Sequence, residues 1–523
     1  MGDFDFTART QNGLGLIEFS DGRELSVTPD LSSAIEGFWS DDAVQFLVLT
    51  EPVKKVTIPV DLAKARIMAA PDGIPESLRG TLPALSLERI VANLVRIVRA
   101  ACRTDELPGV TDQGVEPLPV RRVGVLGAGT MGASIAHAYA AAGCEVLLKE
   151  VDRQALDRGI ATVGEIVAAQ AALGLAGPEG VDAVIARIRP QLDFDGFDDL
   201  DLVVESVPEV IELKKLVFAE LDSLCAPRTI LASNTSSLSI AHMATATTRP
   251  NKVVGHHFFH PVQERPLMEI GRTYVTDVET LVTSIAASRL IGKTPIVVPD
   301  VHGFLANRVP APGWLEARLV VEEGASIERV DRLAMDLGQP FGPMHAVDMV
   351  GHDVAFLAGE VMREELDRIV EYPAHAAMMY ERGRLGVKSG LGYYRYEPGD
   401  PTPIPDPEIE EILEEARRER GISRRDDISD AEIVERFMLP TINHGADALA
   451  DNIAASAADI DVAMVIGYGS PAFLGGPMSY ADQWGLATVV SRLQEYERRL
   501  GSRFAPSPYL VELAESGAGF YPE

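Results

Sequence analysis

The 523-residue chain is short of cysteine, of positive charge and of long apolar runs. Its three cysteines, Cys102, Cys144 and Cys225, are scattered without CxxC spacing. That pattern suits neither a disulfide framework nor a cysteine-held zinc site, so no metal is expected. Lys and Arg number 47 against 78 Asp and Glu, a formal net charge of -31. Nucleic acid and anionic membrane surfaces need a basic footprint that releases counterions, and neither is expected as a partner. An anionic substrate has to find a local basic patch instead. No apolar run approaches the roughly 20 residues of a membrane-spanning helix. The opening MGDFDFTART has no basic segment followed by an apolar one, and Phe6 stands where myristoylation wants Ser or Thr. The expected address is therefore cytoplasmic, with no membrane span.

What is present reads as globular: 46% hydrophobic and 24% charged residues, over a length that suits several domains. Residues 14–50 suggest a strand, a turn at Asp21 and Gly22, an amphipathic helix near 31–39 and a second strand, VQFLVLT. This small α/β piece occupies residues 1–60. A helical pattern, LERIVANLVRIVRAAC, and the Pro-rich stretch 107–119 make residues 61–118 a linker with a long helix. Residues 119–299 alternate apolar strands with helical stretches, as in a doubly wound parallel sheet of Rossmann type. Residues 300–523 read mainly as helices and carry an internal repeat. Asp331, Gly342-Pro-Met, Asp348 and Gly351 recur as Asp461, Gly476-Pro-Met, Asp482 and Gly485, with a small insertion in the second copy. Four blocks in order point to a duplicated helical unit, divided here as 300–402 and 403–523. The mixed-charge run Ile409–Arg420 is expected as a solvated helix face.

VGVLGAGTMG, residues 123–132, places Gly127, Gly129 and Gly132 after a strand and at the start of a helix. The first glycine makes the tight turn, the second lets a pyrophosphate approach the backbone, and the third lets helix pack on strand. Glu150 ends the next strand, where a carboxylate binds a ribose diol and repels a 2′-phosphate. NAD is favoured over NADP, although Lys149 and Arg153 stand nearby. Oxidising an alcohol also needs a base for the hydroxyl proton and donors that hold the oxygen. His257 is the best base in the chain, and Glu269 can fix its tautomer. Ser236 and Asn307 can bond the reacting oxygen. Taken singly, each has an ordinary structural role: a strand-end histidine, a helix-capping serine or asparagine, a glutamate on a surface arginine. Four compatible groups following one dinucleotide fold favour the chemical reading. His256 points to the opposite face from His257, so only one of them can serve.

At these residues the chain resembles the L-3-hydroxyacyl-CoA dehydrogenases, and more closely the dehydrogenase part of the multifunctional fatty-acid β-oxidation enzymes. The family pattern is GxGxMG, VVE, SNTSS, HFFNP, a glutamate and GFxxNR. Here it reads GAGTMG, VVES, SNTSS, HFFHP, LME and GFLANR. The resemblance implies NAD-dependent oxidation of L-3-hydroxyacyl-CoA to 3-oxoacyl-CoA, with His257 as base, Glu269 as its partner, and Ser236 and Asn307 on the substrate oxygen. It further implies that Glu209, Lys214 and Asn234 contact the nicotinamide nucleotide and that Met131 lies in the phosphate loop. Two departures stand out. His260 replaces the family's asparagine, and residues 1–60 resemble only the opening strands and helix of a crotonase-like enoyl-CoA hydratase. Hydratase activity is accordingly expected to be lost, with the remnant serving packing or assembly. A homodimer and a thiolase partner are compatible with the family. A free 3-hydroxy acid as substrate, or a non-catalytic NAD-binding scaffold, are the alternative readings.

Overall fold

A computed structural model describes residues 6–11, 14–19, 46–50, 55–59, 78, 86–172, 181–363 and 372–521. The chain divides into two compact units. Of the described residues, those up to 59 and those within 98–304 form the first, and those within 60–97 and from 305 on form the second.

In the first unit, β1 (Phe6–Gln11), β2 (Leu14–Phe19), β3 (Phe46–Thr50) and β4 (Lys55–Pro59) make a four-stranded sheet in that order. β2 and β3, the two strands expected from the sequence, run parallel, while β1 and β4 close antiparallel hairpins on either side. The helix expected at 31–39 lies outside the described residues.

The larger sheet holds β5 (Arg122–Leu126), β6 (Glu145–Lys149), β7 (Ile188–Gln191), β8 (Leu202–Glu205), β9 (Ile230–Ser233), β10 (Val253–Phe258), β11 (Leu267–Arg272) and β12 (Thr294–Pro299). Their spatial order is β12-β11-β10-β9-β8-β5-β6-β7. Runs such as RVGVL and LVVE are apolar at nearly every position because helices cover both faces of a parallel sheet. Val123, Val125, Val146, Leu148 and Val204 accordingly pack with Ile135, Ala136 and Tyr139 of the helix Thr130–Ala141. The order reverses at β5, between β6 and β8, the switch point at whose carboxyl edge doubly wound folds bind nucleotides.

The sheet is parallel from β7 to β10, as expected, but β11 pairs antiparallel with β10 and parallel with β12. The connection 259–266 is too short for a crossover helix, so the chain returns as a hairpin. This reversal puts His257 directly opposite Glu269 in the register. β7 is absent from the sequence reading because Pro190 interrupts its pattern. An edge strand tolerates a proline.

The second unit is mainly helical and shows why its repeat exists. Asp331 accepts the N–H groups of Met344 (2.8 Å) and His345 (3.1 Å), at the start of the helix Pro343–Val350, and the Tyr394 hydroxyl (2.8 Å). Asp461 accepts those of Met478 (2.8 Å) and Ser479 (2.9 Å), at the start of Pro477–Trp484, and the Tyr521 hydroxyl (2.7 Å). Asp348 takes the backbone N–H groups of Tyr393 and Tyr394, and Asp482 those of Phe520 and Tyr521. The repeated aspartates are thus anchors for helix starts and returning chain, satisfying donors that have no partner within the helix. At Gly342 and Gly476 a Cβ would come within 2.1 and 2.5 Å of those same carboxyl side chains.

Ile409–Arg420 is one helix, as expected, with Ile409, Ile412, Leu413 and Ala416 buried. Arg417, expected on the solvated face, is buried too and bonds Glu410 (2.5 Å) and the Glu322 carbonyl (3.2 Å). Among the described residues no helix is long and apolar enough to cross a membrane.

Candidate active site

The glycine loop follows β5. Gly127 has φ +92°, and a Cβ there would lie 2.4 Å from the Ser206 carbonyl oxygen. At Gly132 a Cβ would lie 1.8 Å from the Gly127 carbonyl oxygen, whereas at Gly129 it would meet nothing within 4 Å. Two glycines therefore exist for the protein's own packing, and Gly129 faces open space. No side chain caps the helix Thr130–Ala141, which begins with Thr130 and a half-buried Met131 and has no acidic residue in its first turn. Its first N–H groups are thus available to an anion. Glu150 lies against this loop: its Oε2 accepts the Ala128 N–H (2.9 Å) and its Oε1 the Val151 N–H (2.6 Å). Of the neighbouring cations that could suit a 2′-phosphate, Lys149 is buried and Arg153 is exposed. The Lys149 ammonium sits 4.4 Å from the centre of the Phe194 ring, and Arg153 lies 3.9 Å from Asp157.

Lys214 lies in the first turn of the helix Ile211–Leu224 but faces inward, away from its exposed neighbours Glu212 and Leu213. It is buried, 2.7 Å from Glu205 and 3.2 Å from Glu209. Glu205, fully buried, also accepts the Ser233 hydroxyl (2.6 Å) and the Val207 N–H (2.7 Å), which ties the ends of β8 and β9 together. Glu209 accepts the Thr235 hydroxyl and the Ser236 N–H (3.3 Å), so it organises the SNTSS turn. Asn234 Oδ1 accepts the Phe258 N–H (3.0 Å) and joins that turn to the strand that carries His257. The Ser236 hydroxyl makes no hydrogen bond within the described residues. The helix-cap role belongs to Ser239, which accepts from the His242 N–H and, with Asp300, fixes the start of Ile240–Ala244.

His257 Nδ1 lies 2.7 Å from Oε2 of the fully buried Glu269. A buried carboxylate there fixes Nδ1 as the donor and leaves Nε2 as the basic nitrogen. Nε2 has no partner among the described residues. The imidazole sits beside Phe259 (4.5 Å) and Phe304 (5.7 Å). Phe304 adopts φ +47°, a costly conformation for a bulky residue, and its ring fills the space where a Cβ on Gly271 would come within 2.5 Å. His260 begins the turn after β10 and is exposed. Lys293, whose pKa burial pushes down to about 8, anchors that turn by donating to the carbonyls of Val262 and Arg265.

His256 is fully buried on the other face, and neither ring nitrogen has a hydrogen-bond partner among the described residues. Burial pulls its pKa from 6.5 to about 3, so it stays neutral in the folded chain. The unfolded chain takes up a proton below about 6.5, so this histidine's contribution to stability is present above that pH and is lost as pH falls towards about 3. His256→Phe is expected to shrink the drop in Tm between about pH 7 and about pH 4.5. An unchanged drop in a thermal melt would show that His256 carries no such linkage.

Asn307 belongs to the second unit, in the turn before the helix Ala311–Glu323. It is half-buried, and its Oδ1 accepts the Tyr468 hydroxyl. Glu205, Ser233, Lys293, Asp300 and Tyr468 escape the sequence reading. Glu205 carried a signal as the acidic residue closing the apolar strand in VVES, and Ser233 as the first residue of SNTSS.

A glycine loop lies at the switch point and a buried His–Glu pair farther along the same sheet, the layout of a dinucleotide-binding domain. Residues 122–301 match the NAD binding domain of 3-hydroxyacyl-CoA dehydrogenase, and residues 303–396 and 433–519 match its C-terminal domain. The chain belongs to the 3-hydroxyacyl-CoA dehydrogenase family. It is 37% identical over 408 residues to the fatty acid oxidation complex subunit alpha of Acinetobacter baumannii (strain SDF), covering 77% of this chain and 56% of that one. The chain thus spans little more than half the length of that curated relative. The fold is similar to that of 3-hydroxybutyryl-CoA dehydrogenase from Escherichia coli K12 (TM-score 0.66, 26% identity, 76% of this chain and 100% of that one). It is also similar to the dehydrogenase part of multifunctional enzyme 1 from C. elegans (TM-score 0.58, 25% identity, 80% of this chain and 98% of that one).

Proposed function

We propose that the chain oxidises an L-3-hydroxyacyl-CoA to the 3-oxoacyl-CoA, reversibly, with NAD. The observation that carries this reading is the His257–Glu269 pair, whose geometry leaves Nε2 unbonded. Bound NAD supplies the hydride acceptor, held by the loop of Gly127, Gly129, Met131 and Gly132, with Glu150 for the ribose. Asn234 and Glu209 line the nicotinamide side, and Lys214 acts through Glu209, since it is itself buried beneath it. His257 Nε2 takes the hydroxyl proton as C3 loses its hydride. Glu269 stabilises the imidazolium that results. The Ser236 hydroxyl and the Asn307 amide hold the oxygen as it becomes a carbonyl.

Residues 119–299 form the NAD domain in this reading, with helical domains at 300–402 and 403–523, which the two matched C-terminal ranges support. A cytoplasmic address and a homodimer belong to the same proposal. So does a thiolase partner: the similarity to a complex subunit supports a partner enzyme, and a 3-oxoacyl-CoA is the substrate of thiolytic cleavage. NADH consumption with acetoacetyl-CoA, and separately with a free 3-oxo acid, tests the activity. Turnover of the thioester is expected. NADH binding with no thioester turnover would sink the reading, and turnover of the free acid alone would redirect it to that substrate class.

A further inference from the structure

The second helical copy differs from the first by an insertion. Asp461 and Met478 stand 17 positions apart, whereas their counterparts Asp331 and Met344 stand 13 apart. The added length falls in the stretch that holds the π-helical turn Ala463–Gly467 and Tyr468 after it. A π turn is a local widening of a helix, found often at functional sites because it re-aims the side chains beyond it. Here the re-aimed side chain is Tyr468, whose hydroxyl donates to Asn307 Oδ1.

The Tyr468 ring is held beside Trp314, at 6.3 Å between centroids, and Trp314 packs edge-on against Phe437 at 6.1 Å. Trp314, Phe437, Met438, Met464 and Tyr468 line one mainly apolar cavity. A hydrogen bond beside such a wall is less exposed to competition from water. Asn307 Nδ2, by contrast, makes no hydrogen bond to any described residue, and the side chain is half-buried.

An amide can present either its oxygen or its nitrogen in a given direction, and the two ends have opposite hydrogen-bonding character. A carbonyl or developing alkoxide oxygen on the substrate only accepts. Asn307 serves that oxygen only through its N–H groups, and a donor on Oδ1 leaves those as the uncommitted end. We infer that Tyr468 is a positioning residue for the proposed oxygen-binding amide: by donating to Oδ1 it commits that end of Asn307 and leaves the Nδ2 N–H groups as the end offered to an acceptor. The duplicated copy thereby supplies one residue to the chemistry of the first. This inference rests on the dehydrogenase reading above.

The test is a double-mutant cycle with Tyr468→Phe and Asn307→Ala, assayed by NADH oxidation with acetoacetyl-CoA, using single turnover where steady state is too slow. Wild-type turnover, measured first, tests the dehydrogenase reading on its own. Tyr468→Phe keeps the ring against Trp314 and removes the hydroxyl that donates to Asn307. It is expected to lower kcat by about threefold to tenfold, the worth of one neutral hydrogen bond, with KM for NADH and Tm unchanged. In the Asn307→Ala background the same substitution is expected to cause no further loss. An equal loss in both backgrounds, or full activity in Tyr468→Phe alone, would overturn the assignment.

Discussion

His257→Ala is expected to lower kcat for acetoacetyl-CoA reduction by about 10²- to 10⁴-fold, the usual worth of a positioned general acid–base group, while the Kd for NADH stays at the wild-type value. The separation of the two effects follows from the geometry. His257 and Glu269 face each other across β10 and β11, on the far side of β9 and β8 from the glycine loop after β5. Removing the imidazole deletes the proton carrier without touching the loop. Glu269→Gln is expected to cost less, because an amide still reaches Nδ1 but no longer offsets the imidazolium charge and can donate to Nδ1, which shifts the tautomer. A His257→Ala variant that keeps full rate would remove the histidine from the mechanism, and an equal fall in NADH affinity would show that it acts by structure.

The second large effect separates two glycines three residues apart. Gly129→Val is expected to leave Tm unchanged, because Gly129 has φ −68° and ψ −175°, which any residue adopts, and a Cβ there meets nothing within 4 Å. The side chain would instead stand where a pyrophosphate approaches the helix start. Losing two charge-assisted hydrogen bonds of about 1.5 kcal/mol each weakens NADH binding by about 100-fold. Gly132→Val is expected to do the reverse, since its Cβ would lie 1.8 Å from the Gly127 carbonyl oxygen and forces the loop off the strand. An overpacking cost of about 3 kcal/mol would appear as a lower Tm, with binding lost as a consequence. Calorimetric titration with NADH and thermal melts of both variants decide it. A Gly129→Val protein that binds NADH normally would put the pyrophosphate elsewhere.

Much of this molecule was legible from residue order alone. β5, β6, β8, β9 and β10 are recognisable because a parallel sheet covered on both faces demands apolar residues at nearly every position. The glycine loop was readable because two of its three glycines answer steric demands that no side chain meets. The reversal at β11 was not, since LMEIGR reads the same in either direction. Its sense is set by the short turn 259–266, anchored by Lys293 from far along the chain. Lys214 illustrates a different limit. Its sequence neighbours, ELKKL, look like a solvated helix start, but Glu205 draws it inward as a buried ion pair. The repeat was visible as spacing, yet only the hydrogen bonds show that its aspartates anchor helix starts.

Sequence by itself determined which chemical groups this protein carries and in what order: a glycine loop, an acid after the second strand of the larger sheet, a serine, a histidine, a glutamate and an asparagine. Those are local properties, written in residue type and spacing. Tertiary structure decided which atom of each group is spent and which is left over. His257 commits Nδ1 to Glu269 and keeps Nε2, Asn307 commits Oδ1 to Tyr468 and keeps Nδ2, and His256, next in the chain to His257, is buried with no hydrogen-bond partner among the described residues. A hydrogen bond between residues 161 positions apart leaves no periodic trace in the sequence. Its donor and acceptor meet only because the turns that carry them are brought together by the packing of the second unit.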